Sequence, residues 1–573
     1  MKAFIFLLPI FFALCFASPL EKPTKLEKCS GENPSNAKNP KSKAVEFKIE
    51  ALATHPLAAI GAIGASSDTK NGKKFTFNYI TENGNQKIEL DEQLLMDHIR
   101  DGTDWALTNG LIMPWKFSCP FCHEKLNMAQ LVPFSLFPSP FPRELFQQAM
   151  DVQKALNLLY FRAARDFGFL KEMHRDELKT NPSFKEQVDF LESMNRDGIR
   201  QPLTLFCQRA DYMTHESFAE NNVKKVELKQ VEVNTGPIGG FGTSSRVTAL
   251  HRRFLTMLGV DASPSVVPEN FTDTMMGQAL YRAWLQFGDR EAAIIFLHSS
   301  RQDPRFIESR QVQHELERIS KGQIKCIFLT LSKAINRLKL DPNNFSLILD
   351  DKFVVAVALH RYSSATRAEL MFSREIVRRS TAIQGTYFLL MAHTKRMQQI
   401  FTKSGVVERF FGAPGEAQMV TAIRNVLTKS WSIGQGDEEA DEILRKVKMN
   451  SERYVMKWNE CGAGRRGPDI FFGADILRKL DNMTSAERNN FIIMEKLRPT
   501  VVNNHFVRPD TKPLLNVEVT PELGVFGCLL GNMVDGTVLQ HFGNASQMKT
   551  KLASEDEGGI WNGKSVYDSP YLV

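Results

Sequence analysis

From about residue 226 onward, short apolar runs rich in Val, Ile and Phe alternate with helical stretches, and this alternation limits the fold more than any other feature. Strands are predicted at 226–233, 292–297, 326–331, 354–359, 454–457, 491–494 and 517–520, with helices between several of them, as at 311–319 and 393–402. Such a mixture predicts an α/β or α+β architecture. No repeat of 20–50 residues is present. Upstream, Leu145, Ala149, Val152, Leu156, Leu159 and Ala163 recur at spacings of 3 and 4, one face of a helix that begins near Pro142. At 573 residues the chain has room for two to four domains, and 43% hydrophobic with 24% charged residues is an ordinary globular balance. A net charge of +7 is mild for this length and points away from nucleic acid.

The N-terminus reads as a signal peptide over 1–17: Lys2, an apolar run from Ala3 to Phe16, and small residues at Cys15 and Ala17 before a cut at Ser18. The run is shorter than the ~20 residues needed to span a bilayer, so a secreted protein without a membrane anchor is expected. Residues 18–90 read as a flexible leader followed by a β-hairpin, with runs at 75–80 and 86–90 flanking Glu82-Asn83-Gly84-Asn85. Seven cysteines remain after cleavage, and a chain of this size buries an adequate core without disulfides. Cys119-Pro-Phe-Cys122-His123 has the spacing of a redox pair or a haem-attachment string, but neither context surrounds it. A local disulfide or two plain thiols therefore fits better. Sequons at Asn270, Asn344, Asn482 and Asn544 are possible glycosylation sites.

Four clusters have chemistry in them. In Lys229-Gln-Val-Glu-Val-Asn234-Thr-Gly-Pro-Ile-Gly-Gly-Phe-Gly242, Glu232 and Asn234 share one strand face. Their oxygens can converge on a hard cation such as Mg²⁺, and the Gly-rich turn can approach an anion. A solvated strand face ending in a turn fits equally well. In Tyr454-Val-Met-Lys457-Trp-Asn-Glu460-Cys461-Gly462, a strand Lys enters a Gly loop containing Arg465 and Arg466, a pattern suited to polyphosphate but not a Walker loop. Ile492-Ile-Met-Glu495-Lys-Leu497 is an apolar strand broken by one carboxylate. Lys549-Thr-Lys551 and the following Glu557-Gly-Gly559-Ile560-Trp561-Asn-Gly563 suggest a second anion clamp; a charged tail is the plainer reading.

Taken in order, these clusters resemble eukaryotic glutathione synthetase, an ATP-grasp ligase, and the secreted glutathione-synthetase-like effectors of plant-parasitic nematodes. The resemblance is carried by Arg209-Ala-Asp211-Tyr212-Met213, Val231-Glu-Val-Asn234-Thr235, Thr394-Lys395, Met494-Glu495-Lys496, Glu522-Leu-Gly-Val-Phe-Gly527 and Tyr567-Asp-Ser-Pro-Tyr571, and covers about 90–573. It implies an α/β ATP-grasp fold: 91–291 as the N-terminal part of the body, 292–393 as an inserted substrate-binding lobe, and 394–573 as the C-terminal part with Gly-rich lid loops. It implies ATP and Mg²⁺ as cofactors, a γ-glutamyl dipeptide and an amine acceptor as substrates, and a homodimer. Arg209 and Lys457 would be catalytic. Lys395, Lys457, Met494, Glu495, Leu497, Glu522 and Lys551 would hold the nucleotide, and Glu232 and Asn234 the magnesium. Arg209, Met213, Arg361, Lys549, Ile560 and Trp561 would face the other substrates.

The sequence also departs from the family. Its third magnesium ligand, a Glu in the Gly loop, is replaced by Cys461, a soft ligand, with Glu460 one residue away. Serines of the dipeptide pocket become Pro237 and Gly239, and further pocket residues become Asp303, Arg305 and Ser309. Trp561 stands where the family has Ala. The expectation is an ATP-dependent ligase joining a γ-glutamylcysteine-type dipeptide to glycine or another amine, with a rewritten acceptor half that weakens or abolishes glutathione synthesis. The alternative is a secreted binding protein that keeps the scaffold without turnover.

Overall fold

A computed structural model describes residues 65–66, 74–81, 84–114, 129–218, 224–362, 365–434, 436, 439–459, 470–509, 511–560 and 562–573. The expected signal peptide and most of the leader, Cys119, Cys122, Glu460, Cys461 and Trp561 lie outside the described residues. At the N-terminal end, Lys74–Thr81 and Gly84–Asp91 pair antiparallel as the expected hairpin.

The largest sheet has seven strands, in the order Val502–Val507, Phe134–Ser135, Ser565–Asp568, Val538–Leu552, Leu514–Asn532, Leu203–Phe218 and Lys224–Thr235. All its pairings are antiparallel except that of Phe134–Ser135 with Ser565–Asp568. Val502–Val507 also pairs with Leu514–Asn532, so five of the strands close on one another around Val502, Phe506, Val519 and Val566. Two long strands in this sheet were not visible in the sequence. Leu203–Phe218 carries Gln208, Arg209, Asp211, Thr214 and His215, all buried, so no apolar/polar alternation marks it. Val538–Leu552 is equally mixed. The run expected at 517–520 is part of the 19-residue strand Leu514–Asn532, disguised by Pro521, Glu522 and three glycines.

Proline cannot donate to a ladder, yet Pro521 sits mid-strand. The pairing register explains it. Val502–Val507 flanks this strand only as far as Val519, and Leu203–Phe218 begins to flank it at Leu523. Pro521 and Glu522 occupy the interval where the neighbour changes, so no ladder bond is lost on that side.

Helix Arg143–Arg165 covers one face of the sheet and starts directly after Pro142. Ala149, Val152, Leu156, Leu159 and Ala163 are buried against Phe206, Val525 and Leu529, while Leu145 packs at the margin. A polar chain crosses this interface. Gln153 and Gln208 both donate to Asn157 Oδ1 at 2.9 and 2.8 Å, and Gln208 Oε1 meets His393 Nε2 at 2.9 Å. Burying four such groups is tolerable because they bond one another, Gln153 Oε1 being the one oxygen of this polar chain with no partner among the described residues.

Two sheets of five and four strands stand beside the large sheet, with two-stranded pairs at Ser139–Phe141 with Pro570–Leu572 and at Ile112–Pro114 with Ala129–Leu131. Cys326–Thr330, Ala293–His298 and Phe353–His360 run parallel and continue antiparallel into Leu347–Leu349 and Leu338–Leu340. Ser430–Ser432, Phe491–Glu495, Tyr454–Trp458 and Ile470–Phe472 form an antiparallel sheet. Met456, Phe491 and Ile493 of that sheet pack with Ile443, Val447, Ile476 and Leu480 of helices Ala440–Met449 and Gly473–Asp481.

Two features differ from the sequence reading. Cys207 and Cys528 form a disulfide across 321 residues, although none was needed for the core. Asn270 is buried, its amide nitrogen donating to Ser546 O at 2.6 Å and its oxygen accepting from Ser546 N at 3.2 Å, which leaves no room for a glycan in the folded chain.

Gly527 lies beneath the polar chain, and a Cβ there would fall 2.5 Å from Asn157 Nδ2 and 2.8 Å from Gln153 Cγ. Gly527→Ala is expected to destabilise the fold by about 1–3 kcal/mol, read as a lowered midpoint in thermal or urea denaturation. An unchanged midpoint would show that the helix does not press on the sheet there.

Candidate functional site

Antiparallel register places one row of the large sheet as Glu232, Asp211, Gly524 and Gln547, and the next as Asn234, Arg209, Phe526 and Ala545. Side chains directly opposite one another share a face. Charges that look scattered in the sequence therefore adjoin. Arg209 makes a two-pronged bond to Asp211, Nε–Oδ1 2.6 Å and Nη2–Oδ2 2.7 Å. Asn234 Nδ2 donates to Asp211 Oδ2 at 3.0 Å and to Glu232 Oε1 at 2.8 Å. No described residue donates to its Oδ1. Gly524 must lack a side chain, because a Cβ would sit 2.7 Å from Asp211 and 2.8 Å from Arg209.

Three lysines arrive from separate elements. Lys395 opens helix Lys395–Thr402, which Thr394 caps by accepting from Met397 N. Its ammonium pairs with Glu232, and its backbone N–H donates to Asn459 O at 2.8 Å. Lys457 lies on Tyr454–Trp458, opposite Ile492 and on the face away from the helices. Its Nζ donates to Val231 O at 3.1 Å, which joins the small sheet to the large one. Lys549 faces Glu522 at 2.7 Å and Asp211 at 3.6 Å.

The fields of these groups oppose one another. Burial pushes the Glu232 carboxyl up, but Lys395, Lys549 and Lys457 outweigh it and hold it well below the usual carboxylate range. Burial pulls Lys457 down, Lys395 pulls the same way, and Glu232 and Glu522 only partly oppose them, leaving it at about 8. Burial also lowers Lys549, but Glu522 and Asp211 reverse that and raise it above an ordinary lysine. Glu522 is pushed up, chiefly by burial. The site thus carries a surplus of buried ammonium groups that an anion would relieve.

Met494 is buried and shares the Lys457 face of the small sheet, since it pairs with Val455. Glu495 and Leu497 follow, half-buried, at the end of that strand. Lys551 is turned to the protein itself, its Nζ donating to Glu555 O and Asp556 O at 2.6 Å each. Met213 is half-buried on the Arg209 strand, and Ile560 lies in an apolar core cluster with Tyr567 and Tyr571. The structure therefore brings Arg209, Glu232, Asn234, Lys395, Lys457, Glu522 and Lys549 together, and places Ile560 among core residues. Asp211 is the centre that sequence reasoning did not assign. The alternation Arg209-Ala-Asp211 on one strand was its signal.

The Gly-rich turn was expected to offer open amides, but the Gly240 N–H and several of the turn's carbonyls are engaged. Gly240 N–H donates to Glu308 Oε2 at 2.7 Å, Arg209 donates to Gly239 O at 3.2 Å and Arg305 to Pro237 O at 2.7 Å. Arg361 bonds Ile238 O, Ser309 Oγ and Glu308, and is itself buried. Arg305 is also held by Asp303 at 2.8 Å through both carboxylate oxygens. Gly240, at φ 107°, could not be replaced, as a Cβ would fall 1.9 Å from Gln547 Oε1.

Among the described residues no group of three or more His, Cys, Asp or Glu side chains is arranged to hold a metal. The oxygen donors that fit a hard cation are Glu232 and the free Oδ1 of Asn234. No helix among the described residues is long and apolar enough to cross a membrane.

The family model described as eukaryotic glutathione synthase, ATP binding domain, matches residues 92–572. Glutathione synthetase of Xenopus laevis is 28% identical over 495 residues, covering 85% of this chain and 98% of its own. The Homo sapiens enzyme is 26% identical over 491 residues, covering 84% and 98%. A solved glutathione synthetase-like effector of Globodera pallida, in its apo form, is 47% identical with a TM-score of 0.70, covering 86% of this chain and all of its own.

Because Lys457 titrates near 8 beside Lys395, Lys549, Glu232 and Glu522, a bound polyphosphate must restore its proton at higher pH. Tripolyphosphate affinity, measured by calorimetry, is expected to fall by about tenfold from pH 7 to pH 9 with proton uptake at pH 9, and Lys457→Arg to remove that fall. A pH-independent affinity in the unsubstituted protein would refute the placement of Lys457 at the anion.

Proposed function

Because this chain belongs to the eukaryotic glutathione synthase family, we propose that it is an ATP-dependent carboxylate–amine ligase that acts on small-molecule substrates and has an altered acceptor site. The observation that carries this reading is the convergence of Glu232, Asn234, Lys395 and Lys457 from three elements. Lys395 and Lys457 would receive the triphosphate, and the Lys395 ammonium would exchange its Glu232 partner for phosphate oxygens. That exchange frees a Glu232 oxygen beside the Asn234 Oδ1 for Mg²⁺, with phosphate and water completing the coordination. When bound, the magnesium would neutralise charge on the transferring phosphoryl group. Arg209, held in place by Asp211, would steady the substrate carboxylate as it takes up phosphate. Met494, Glu495 and Leu497 would border the base and ribose.

The acceptor side supports a change of substrate. Arg361, which the family resemblance would aim at a dipeptide, and Arg305, at a pocket position where the sequence departs from the family, are engaged by Glu308, Ser309, Asp303 and the turn carbonyls. A γ-glutamyl dipeptide would have to displace these bonds, and unmatched buried polar groups discriminate strongly against a ligand. The same engagement favours a second reading, a binding protein that retains the scaffold without turnover. The N-terminal pattern and the effector role named for the Globodera pallida protein support secretion under either reading.

The purified chain, supplied with Mg-ATP, γ-glutamylcysteine and a panel of amines, is expected to release ADP, and Glu232→Ala or Lys457→Ala to cut that release at least about 100-fold. Mg-ATP binding without ADP release across the panel would select the second reading. Failure to bind Mg-ATP at all would sink the nucleotide site.

A further inference from the structure

Cys207 and Cys528 face each other directly across Leu203–Phe218 and Leu514–Asn532, with Cα atoms 4.2 Å apart. The two sulfurs are not equivalent. Cys528 is fully buried in an apolar cluster with Leu205, Phe526 and Leu530. Cys207 sits half-buried at the margin of the same cluster, its Sγ 3.5 Å from Met276 Sδ, and lines a cavity of about 60 Å³ together with Thr235, Gly236 and Arg361. This cavity shares the lining residues Arg378, Gly385 and Thr386 with a larger one of about 320 Å³. Two guanidinium groups, Arg361 and Arg378, border it. The Nε of Arg378 is buried and makes no hydrogen bond.

Thiol–disulfide exchange requires an incoming thiolate to reach one sulfur, and its rate depends on that access. Here the cavity reaches Cys207 and not Cys528, and the Arg378 guanidinium there favours an anion, Arg361 being already paired with Glu308. We propose that Cys207–Cys528 is an exchange site for small anionic thiols, which attack at Cys207 from the cavity. The incoming thiolate bonds to Cys207 Sγ as the Cys207–Cys528 bond breaks. The electron pair leaves on Cys528 Sγ, which takes a proton because a thiolate is disfavoured in its apolar surroundings. The product is a mixed disulfide on Cys207 and a buried thiol at Cys528. Return attack by Cys528 expels the thiol and restores the bond, whereas a second thiol releases the symmetrical disulfide and leaves both cysteines reduced.

The exchange takes place at the edge of the charge cluster. Cys207 O accepts from Thr235 Oγ1 at 3.3 Å, and Arg209 is two residues along the same strand. An adduct on Cys207 would therefore occupy the cavity next to the Gly-rich turn. This inference does not depend on the ligase reading, and its test uses no nucleotide.

The native full chain is incubated with N-acetylcysteine or with cysteamine, which carries a positive charge, then quenched in acid and mapped by peptide mass spectrometry. The adduct is expected on Cys207 and not on Cys528, and the anionic thiol is expected to react about tenfold faster at equal thiolate concentration. Cys326, which burial pushes up to about 12, stays unmodified and serves as the internal control. With the disulfide form of N-acetylcysteine as the reagent, Cys528→Ala is expected to gain a lasting adduct on Cys207, and Cys207→Ala to leave Cys528 unmodified. Should a variant fail to fold, the map of the unsubstituted protein still decides. A disulfide that opens only on unfolding, adducts on both cysteines, or equal rates for the two thiols would each overturn the proposal.

Discussion

Buried charge has to be answered by opposite charge, and in this protein that requirement ties the large sheet to its surroundings. Asp211 and Glu232 lie side by side on neighbouring strands of the large sheet. Around them stand Arg209, Lys395, Lys457 and Lys549, drawn from that sheet, from a helix and from a separate small sheet. Removing helix Lys395–Thr402 would take away the ammonium group that pairs with Glu232, and removing the small sheet would break the Lys457 bond to Val231 O. The same arrangement makes the site ready for an anion, because burial, Lys395 and Lys549 depress Lys457 and the nearby carboxylates only partly oppose them.

The two ends of the cleft differ in kind. In the lysine cluster, ammonium groups bond partners from other elements, Lys395 pairing with Glu232 and Lys457 donating to the Val231 carbonyl. Around the Gly-rich turn, guanidinium groups are held by several partners at once, and those partners include the carbonyls of Pro237, Ile238 and Gly239. Arginine's planar fork suits this multiple engagement better than a lysine would. Four side chains thus immobilise a turn that, from its glycines alone, looks mobile and open. A chain can keep one half of a site receptive and close the other without altering the fold.

Legibility in the sequence followed periodicity. The strands at Tyr454–Trp458 and Phe491–Glu495 and the helix Arg143–Arg165 stood out because one face of each is apolar. Leu203–Phe218 did not, because both of its faces are covered and each carries buried polar residues, Gln208 on one and Arg209 and Asp211 on the other. Leu514–Asn532 was hidden by Pro521, which is tolerated only where one neighbouring strand has ended and the next has not begun. Glu522 lies in that same interval, free of cross-strand neighbours on one side, and meets Lys549 on the other. Site residues on recognisable strands were found, among them Glu232, Asn234 and Lys457. Asp211 was passed over because its strand was not recognised as one.

By itself the sequence determined the classes of element, the spacing that puts Glu232 and Asn234 on one face, and the family to which the ordered strings belong. These are local properties, set by the two- and 3.6-residue periods of the backbone. Only the tertiary structure decided which charges meet, that Cys207 faces Cys528, that Glu308 fills the Gly240 amide, and that Ile560 belongs to the core. Those contacts join residues separated by tens to hundreds of positions. They depend on strand register and burial, which no local pattern encodes.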